Sequence, residues 1–116
     1  MKEMAQMFGP LFKKSSQAIY LYLDDEHKIC NEKFAKLLGY KSPREWVKNL
    51  YPVDDLARKD QKKGIKAFME ASNKLKASTV SGTWIRKGGK KINTNVTMVP
   101  FPYSGEVFVL HFISPK

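Results

Sequence analysis

Apolar and polar positions along the chain change period three times. Met4, Met7, Phe8, Leu11 and Phe12 recur at i, i+3, i+4, i+7 and i+8, the stripe of an amphipathic helix. Gly9-Pro10 interrupts that stripe, and proline disfavours helix at the residue before it, so the reading is two short helical pieces or one kinked helix. From Ala18 to Leu23 the chain turns to β-branched and aromatic residues and reads as a strand. Asp24-Asp25-Glu26-His27 is a polar turn, and Lys28-Ile29-Cys30 a short return strand. The helical period then resumes. Asn31 is a good N-cap, Phe34, Leu37 and Leu38 share a face, and Gly39 ends the helix. Ser42-Pro43-Arg44-Glu45 joins a Ser-x-x-Glu capping box to proline at the first helical position and starts a second helix bearing Trp46 and Val47.

Leu50-Tyr51-Pro52-Val53-Asp54-Asp55 reads as a turn whose carboxylates are available to cap a long helix reaching about Ala77, with Ile65, Phe68, Met69, Ser72 and Leu75 as its inward stripe. Gly64 weakens that helix by about 1 kcal/mol relative to alanine. The period then returns to two. Thr79 to Arg86 and Lys91 to Phe101 are strands joined by the hairpin turn Lys87-Gly88-Gly89-Lys90, with Pro100 and Pro102 ending the second. After a turn at Tyr103-Ser104-Gly105-Glu106, Val107 to Ile113 forms the last strand.

The first and last strands are apolar on both sides. Phe108, Leu110 and Phe112 alternate with Val107, Val109, His111 and Ile113, while Ile19, Leu21 and Leu23 alternate with Tyr20 and Tyr22. Strands of that kind belong mid-sheet with both faces covered. The middle helices can cover one face; the other needs the N-terminal helix, a second subunit, or both. The expected architecture is α+β: a five-stranded antiparallel sheet, helices from the middle of the chain on one face, and an N-terminal helix. Residues 1–17 are then a helical cap on a domain spanning 18–116.

Three segments carry a family likeness: the helix Asn31-Glu-Lys-Phe-Ala-Lys-Leu-Leu-Gly-Tyr40, the start Ser42-Pro43-Arg44-Glu45 and the hairpin Arg86-Lys-Gly-Gly-Lys90. In this order, over about residues 18–114, the chain resembles a PAS domain. The resemblance implies a small sensing and dimerising module with first and last strands side by side at the sheet centre. It also implies an outer sheet face covered by an N-terminal helix or a dimer partner. Leu50-Tyr51-Pro52-Val53-Asp54-Asp55 departs from the His-Pro-Asp-Asp that the family often carries there. Flavin-binding members use a cysteine in an Asn-Cys-Arg-Phe-type motif on a middle helix, and no cysteine follows Asn31 here. Haem-binding members usually take a histidine from the helix before the third strand, and residues 55–77 contain none. Haem and covalent flavin are therefore disfavoured.

Composition narrows the function further. Hydrophobic residues make up 42% of the 116 and charged residues 28%, a balance that fits one folded domain. No apolar run reaches the roughly 18 residues of a membrane span, and the start lacks a secretory signal, so a cytoplasmic location is expected. Cys30, the single cysteine, reads as a structural thiol. The net charge of +10 raises an acidic partner, with Arg58, Lys59, Lys62, Lys63 and Lys66 as the densest basic face. Only Arg44, Arg58 and Arg86 carry guanidinium groups, whereas reading of bases and phosphates favours arginine. Scattered lysine is better read as a solvated coat, and a basic nucleic-acid-associated protein is kept as the alternative function. His27, His111 and the Asp24-Asp25-Glu26 run offer neither a catalytic set nor metal-ligand spacing, which predicts a protein that is not an enzyme and holds no metal.

Two binding surfaces are expected. Helix and strand periods aim Ile19, Leu21, Phe34, Leu38, Phe68, Met69, Val96 and Met98 at a pocket wall for a small apolar ligand. The same side chains also read as a filled core. Asn93, Asn95 and Thr97 are expected to face solvent, or one of them to turn in as a polar hook. Met4, Met7, Phe8, Leu11 and Phe12 are expected at a homodimer contact, against the plainer reading in which their helix packs on its own sheet. The leading function is a signalling sensor acting through dimerisation and contact with a partner protein.

Overall fold

The greasy segments at the two ends of the chain become neighbouring strands. In the computed structural model, which describes residues 1–116, β1 (Ala18–Asp24) pairs antiparallel with β2 (His27–Cys30) on one side and with β5 (Glu106–Pro115) on the other. With β3 (Ser78–Ile85) and β4 (Lys91–Tyr103) the sheet has five strands in the order β2-β1-β5-β4-β3. This is the expected α+β architecture, with β1 and β5 inside the sheet. Register sets Tyr20 opposite His111 and Leu21 opposite Leu110, so each strand offers one residue set to either face.

The inner face is covered by α2 (Glu32–Leu37), α3 (Pro43–Val47), a 3₁₀ turn (Pro52–Asp55) and α4 (Arg58–Lys74). Phe34, Ala35, Leu38, Trp46, Ala67 and Ala71 pack there with Tyr20, Trp84, Val96, Met98, Val109 and Ile113. The outer face is covered by α1 (Lys2–Lys14), which runs unbroken through Pro10. Its Met4, Phe8 and Phe12 join Ile19, Leu21, Phe108 and Leu110 in a second cluster, and Phe8 stands edge-on to Phe101 at 5.3 Å. Asn31 ties these layers together. Its Oδ1 accepts N–H bonds from Ile19 at 3.1 Å and Phe34 at 2.9 Å, while Nδ2 donates to the carbonyls of Gln17 at 2.8 Å and Phe12 at 3.4 Å.

Three local expectations differ from the structure. On α4 the inward positions are Gly64, Phe68 and the buried Asp60, Ala67 and Ala71; Ile65 and Met69 are half exposed, and Leu75 closes the helix in the left-handed region at φ 53°. Small residues let the helix approach the sheet closely. A Cβ on Gly64 would stand 2.9 Å from Leu56 Cδ2, and one on Gly82 3.2 Å from Leu56 Cδ1, so Leu56 is wedged between α4 and β3 against two glycines. The α4 N-cap is Ala57 without a side-chain cap, because Asp55 instead accepts from the Tyr40 hydroxyl at 2.6 Å and from Asn49 Nδ2 at 3.3 Å. Finally, β4 continues through Pro100 and Pro102 to Tyr103. β3 stops pairing at Met98, so one side of β4 asks for no donors beyond that point, and proline is tolerated there.

Candidate functional site

Between α4 and the inner sheet face lies a cavity of about 120 Å³. Each strand that reaches it contributes through the same alternation: Tyr20 and Tyr22 from β1, Val80 and Trp84 from β3, Val96 and Met98 from β4, and His111 from β5. Trp46 from α3, with Leu56, Gly64, Ile65 and Phe68, completes the wall. Exposed Val53 and Ile65 stand at its rim.

The polar groups of this wall are few and incompletely paired. His111 is buried, its ring stacked on Tyr20 at 4.0 Å and on Phe68 at 6.4 Å. Its Nδ1 lies 3.0 Å from the Val109 carbonyl, and a carbonyl only accepts, so Nδ1 carries the proton and Nε2 is left as an acceptor. Burial pushes the His111 pKa down to about 3, which keeps the ring neutral. The Nε1–H groups of Trp46 and Trp84 are buried with no acceptor in the protein. Each such donor costs about 1–3 kcal/mol when unpaired. Asp60 also lines the cavity, but its carboxylate accepts the Thr83 N–H at 2.8 Å and pairs with Lys63 at 3.3 Å. Desolvation opposes its charge, yet these partners hold its pKa below the usual carboxylate range.

The structure distributes the expected pocket residues differently. Phe68, Val96 and Met98 are at the wall; Phe34 and Leu38 are buried in the same inner core beside it. Ile19 and Leu21 are on the opposite sheet face under α1, and Met69 is 47% exposed. The parity of β1 groups Ile19 with Leu21 correctly, but both faces of that strand are apolar and parity alone does not say which one meets the helices. Tyr20, Tyr22, Trp84 and His111 were missed. The signal for them was polar-tipped aromatics grouped at alternate positions, since such side chains suit a wall that is not fully dry. Asn93 and Asn95 are exposed, and the inward polar residue of β4 is Thr94, whose hydroxyl donates to the Gly82 carbonyl at 2.8 Å. Of the expected dimer residues, Met4, Phe8 and Phe12 pack on the chain's own sheet, whereas Met7 is 48% and Leu11 41% exposed. The basic residues Arg58, Lys59, Lys62, Lys63 and Lys66 lie exposed along α4.

With this geometry in place, comparison with known proteins is decisive for the family. The family profile described as PAS domain matches residues 16–114. The chain belongs to the PAS domain family. Solved structures agree in fold. The PAS domain of an HTR-like protein from Haloarcula marismortui is 18% identical, with a TM-score of 0.68 over 99% of this chain and 93% of that one. A PAS domain from a two-component sensor histidine kinase is 14% identical with a TM-score of 0.71, each chain covered completely. A Rhodobacter sphaeroides LOV protein is 12% identical with a TM-score of 0.74, over 99% of this chain and 68% of that one. No curated protein matched the chain.

The cofactor chemistry considered above finds poor provision in this PAS domain. Cys30 is packed in the inner core off the cavity wall, and burial pushes its thiol up to about 12, so no thiolate is presented for adduct formation. The one cavity histidine is on β5 rather than on the helix before β3, and half of its ring is committed to Val109.

Proposed function

We propose that this PAS domain is a sensor module that takes a small molecule into the cavity beneath α4 and passes the binding event on through dimerisation and contact with a partner protein. The supporting observation is an apolar, aromatic cavity with a solvent-facing rim and an imidazole nitrogen that lacks a donor. An occupant would press on Phe68 of α4 and on His111 of β5. Successive residues of β5 alternate between faces, so the strand that meets the ligand with His111 meets α1 with Phe108 and Leu110. The central strand thereby joins the input side to the outer layer. No covalent chemistry is required.

The test is native mass spectrometry of protein purified without denaturation, followed by a thermal-shift screen of small molecules on stripped protein. A co-purifying mass, or a compound that raises the Tm in proportion to log concentration, is the expected result, since selective binding to the folded state stabilises by RT ln(1 + [L]/Kd). An unliganded mass together with no Tm response across the screen would reject the receptor role.

A further inference from the structure

The character of the wall restricts what can occupy it, and the inference that follows rests on the cavity being the input site. Its size is the first restriction. About 120 Å³ is somewhat less than the roughly 150 Å³ closed cavity that accepts benzene, so the part of an occupant held beneath the rim is one ring and little more. Its surface is the second. Tyr20, Tyr22, Trp46, Phe68, Trp84 and His111 present ring faces and edges, which favour a flat partner by offset or edge-on packing.

Charge is the third restriction. The ionised wall group is Asp60, and its oxygens are already taken by Thr83 and Lys63. An anionic occupant would face that carboxylate without a cation of the wall to offset its desolvation, and a cationic one would find the carboxylate occupied. Hydrogen bonding is the fourth. His111 Nε2 offers a lone pair with no protein donor on it, whereas the Trp46 and Trp84 N–H groups are covered by protein and do not open onto the cavity. An apolar ring would leave that lone pair unsatisfied.

We infer that the occupant is a neutral single-ring molecule of the phenol class, carrying one O–H or N–H donor for His111 Nε2. In this arrangement the hydroxyl proton points at the imidazole and the ring lies among the aromatic side chains of the wall. Toluene matches phenol in ring and approximate volume but lacks the donor, whereas benzoate carries a charge and, ionised, no donor.

Phenol, toluene and benzoate are titrated separately into the intact chain at pH 7.5, with backbone amide NMR shifts as the readout. Phenol is expected to shift resonances around Trp84 and His111 and to bind at least tenfold more tightly than toluene, with benzoate showing no saturable binding. His111→Phe keeps an aromatic wall and removes the acceptor, and it should bring phenol down to the toluene level. Equal affinity for phenol and toluene would overturn the phenol-class assignment while leaving the cavity as an apolar receptor. Saturable benzoate binding at the phenol level would overturn the neutrality requirement and with it the assignment. Absence of binding by all three at millimolar concentration would count against the cavity reading itself. These ligand comparisons use the unaltered protein, so poor folding of the His111 variant does not rescue the inference.

Discussion

Burying an imidazole between Tyr20 and Phe68 sets a pH dependence on the whole fold. The His111 pKa falls from 6.5 to about 3 on folding, so between those values the unfolded chain holds a proton that the folded chain refuses. Stability therefore rises with pH across this window: it is complete above about 6.5 and is lost progressively as the pH falls toward 3. The slope approaches about 1.4 kcal/mol per pH unit for one proton. Asp24 and Asp60 have lowered pKa values too, and their contributions are lost on acidification below the ordinary carboxylate range, while Asp55, raised by burial, takes its proton in the folded chain first and works against the decline, so it is the difference between the native chain and a His111 variant that reports the imidazole. Urea unfolding from pH 7.5 to 4.5 should show the decline in the native chain and a flatter profile in His111→Phe, which keeps the stack and removes the base. Parallel profiles would mean that the folded protein accepts the proton after all.

The α4 helix makes its close approach with its smallest side chains. Ala71 is fully buried and Ala67 nearly so, and the helix packs against β3, β4 and β5 through that strip. Ala71→Leu adds volume where none is free and is expected to cost about 1–3 kcal/mol. Met69→Lys, on the half-exposed face of the same helix, should change stability by no more than about 0.5 kcal/mol. Chemical denaturation of both variants checks the pair, and a larger loss for Met69→Lys would place the packing face where hydrophobicity alone puts it. That contrast also marks how far this fold could be read from its residues. Asn31 and Ser42 announce their helices because a short polar side chain beside an apolar period serves local donors, and both caps are observed, accepting from Phe34 and Glu45. The hairpin glycines and the two-faced end strands were legible for similarly local reasons. The orientation of α4 was not, since a stripe chosen by the largest residues overlooks contacts governed by Gly64, Ala67 and Ala71. The cavity suffered likewise, because alternation assigns Tyr20 and Ile19 to different faces without naming the face that α4 will cover.

At the scale of the molecule, the outer sheet face is already covered by α1, and what remains for a second copy is the outward side of that helix. Met4, Phe8 and Phe12 are spent on the chain's own sheet, so the homodimer proposed here must rely on Met7 and Leu11 together with surface around them. A stable contact removes roughly 800 Å² from each partner, more than two side chains supply, but those two would sit at its centre. Light scattering at tens of micromolar is expected to give a dimer for the native chain and a monomer for the Met7→Lys, Leu11→Lys double variant with an unchanged fold by circular dichroism. A native monomer at that concentration would reject the dimer. Salt supplies an independent sign. Two chains of net charge +10 repel, so screening should tighten self-association as ionic strength rises. Binding of the basic α4 face to nucleic acid would do the opposite, because counterion release makes that affinity fall steeply with added salt. Measuring dimerisation and oligonucleotide binding between about 50 and 500 mM salt, over which the Debye length falls from roughly 14 to 4 Å, therefore separates the two readings by direction rather than by magnitude. A dimer that dissociates on adding salt would show that opposite charges, and not the apolar pair on α1, hold the copies together.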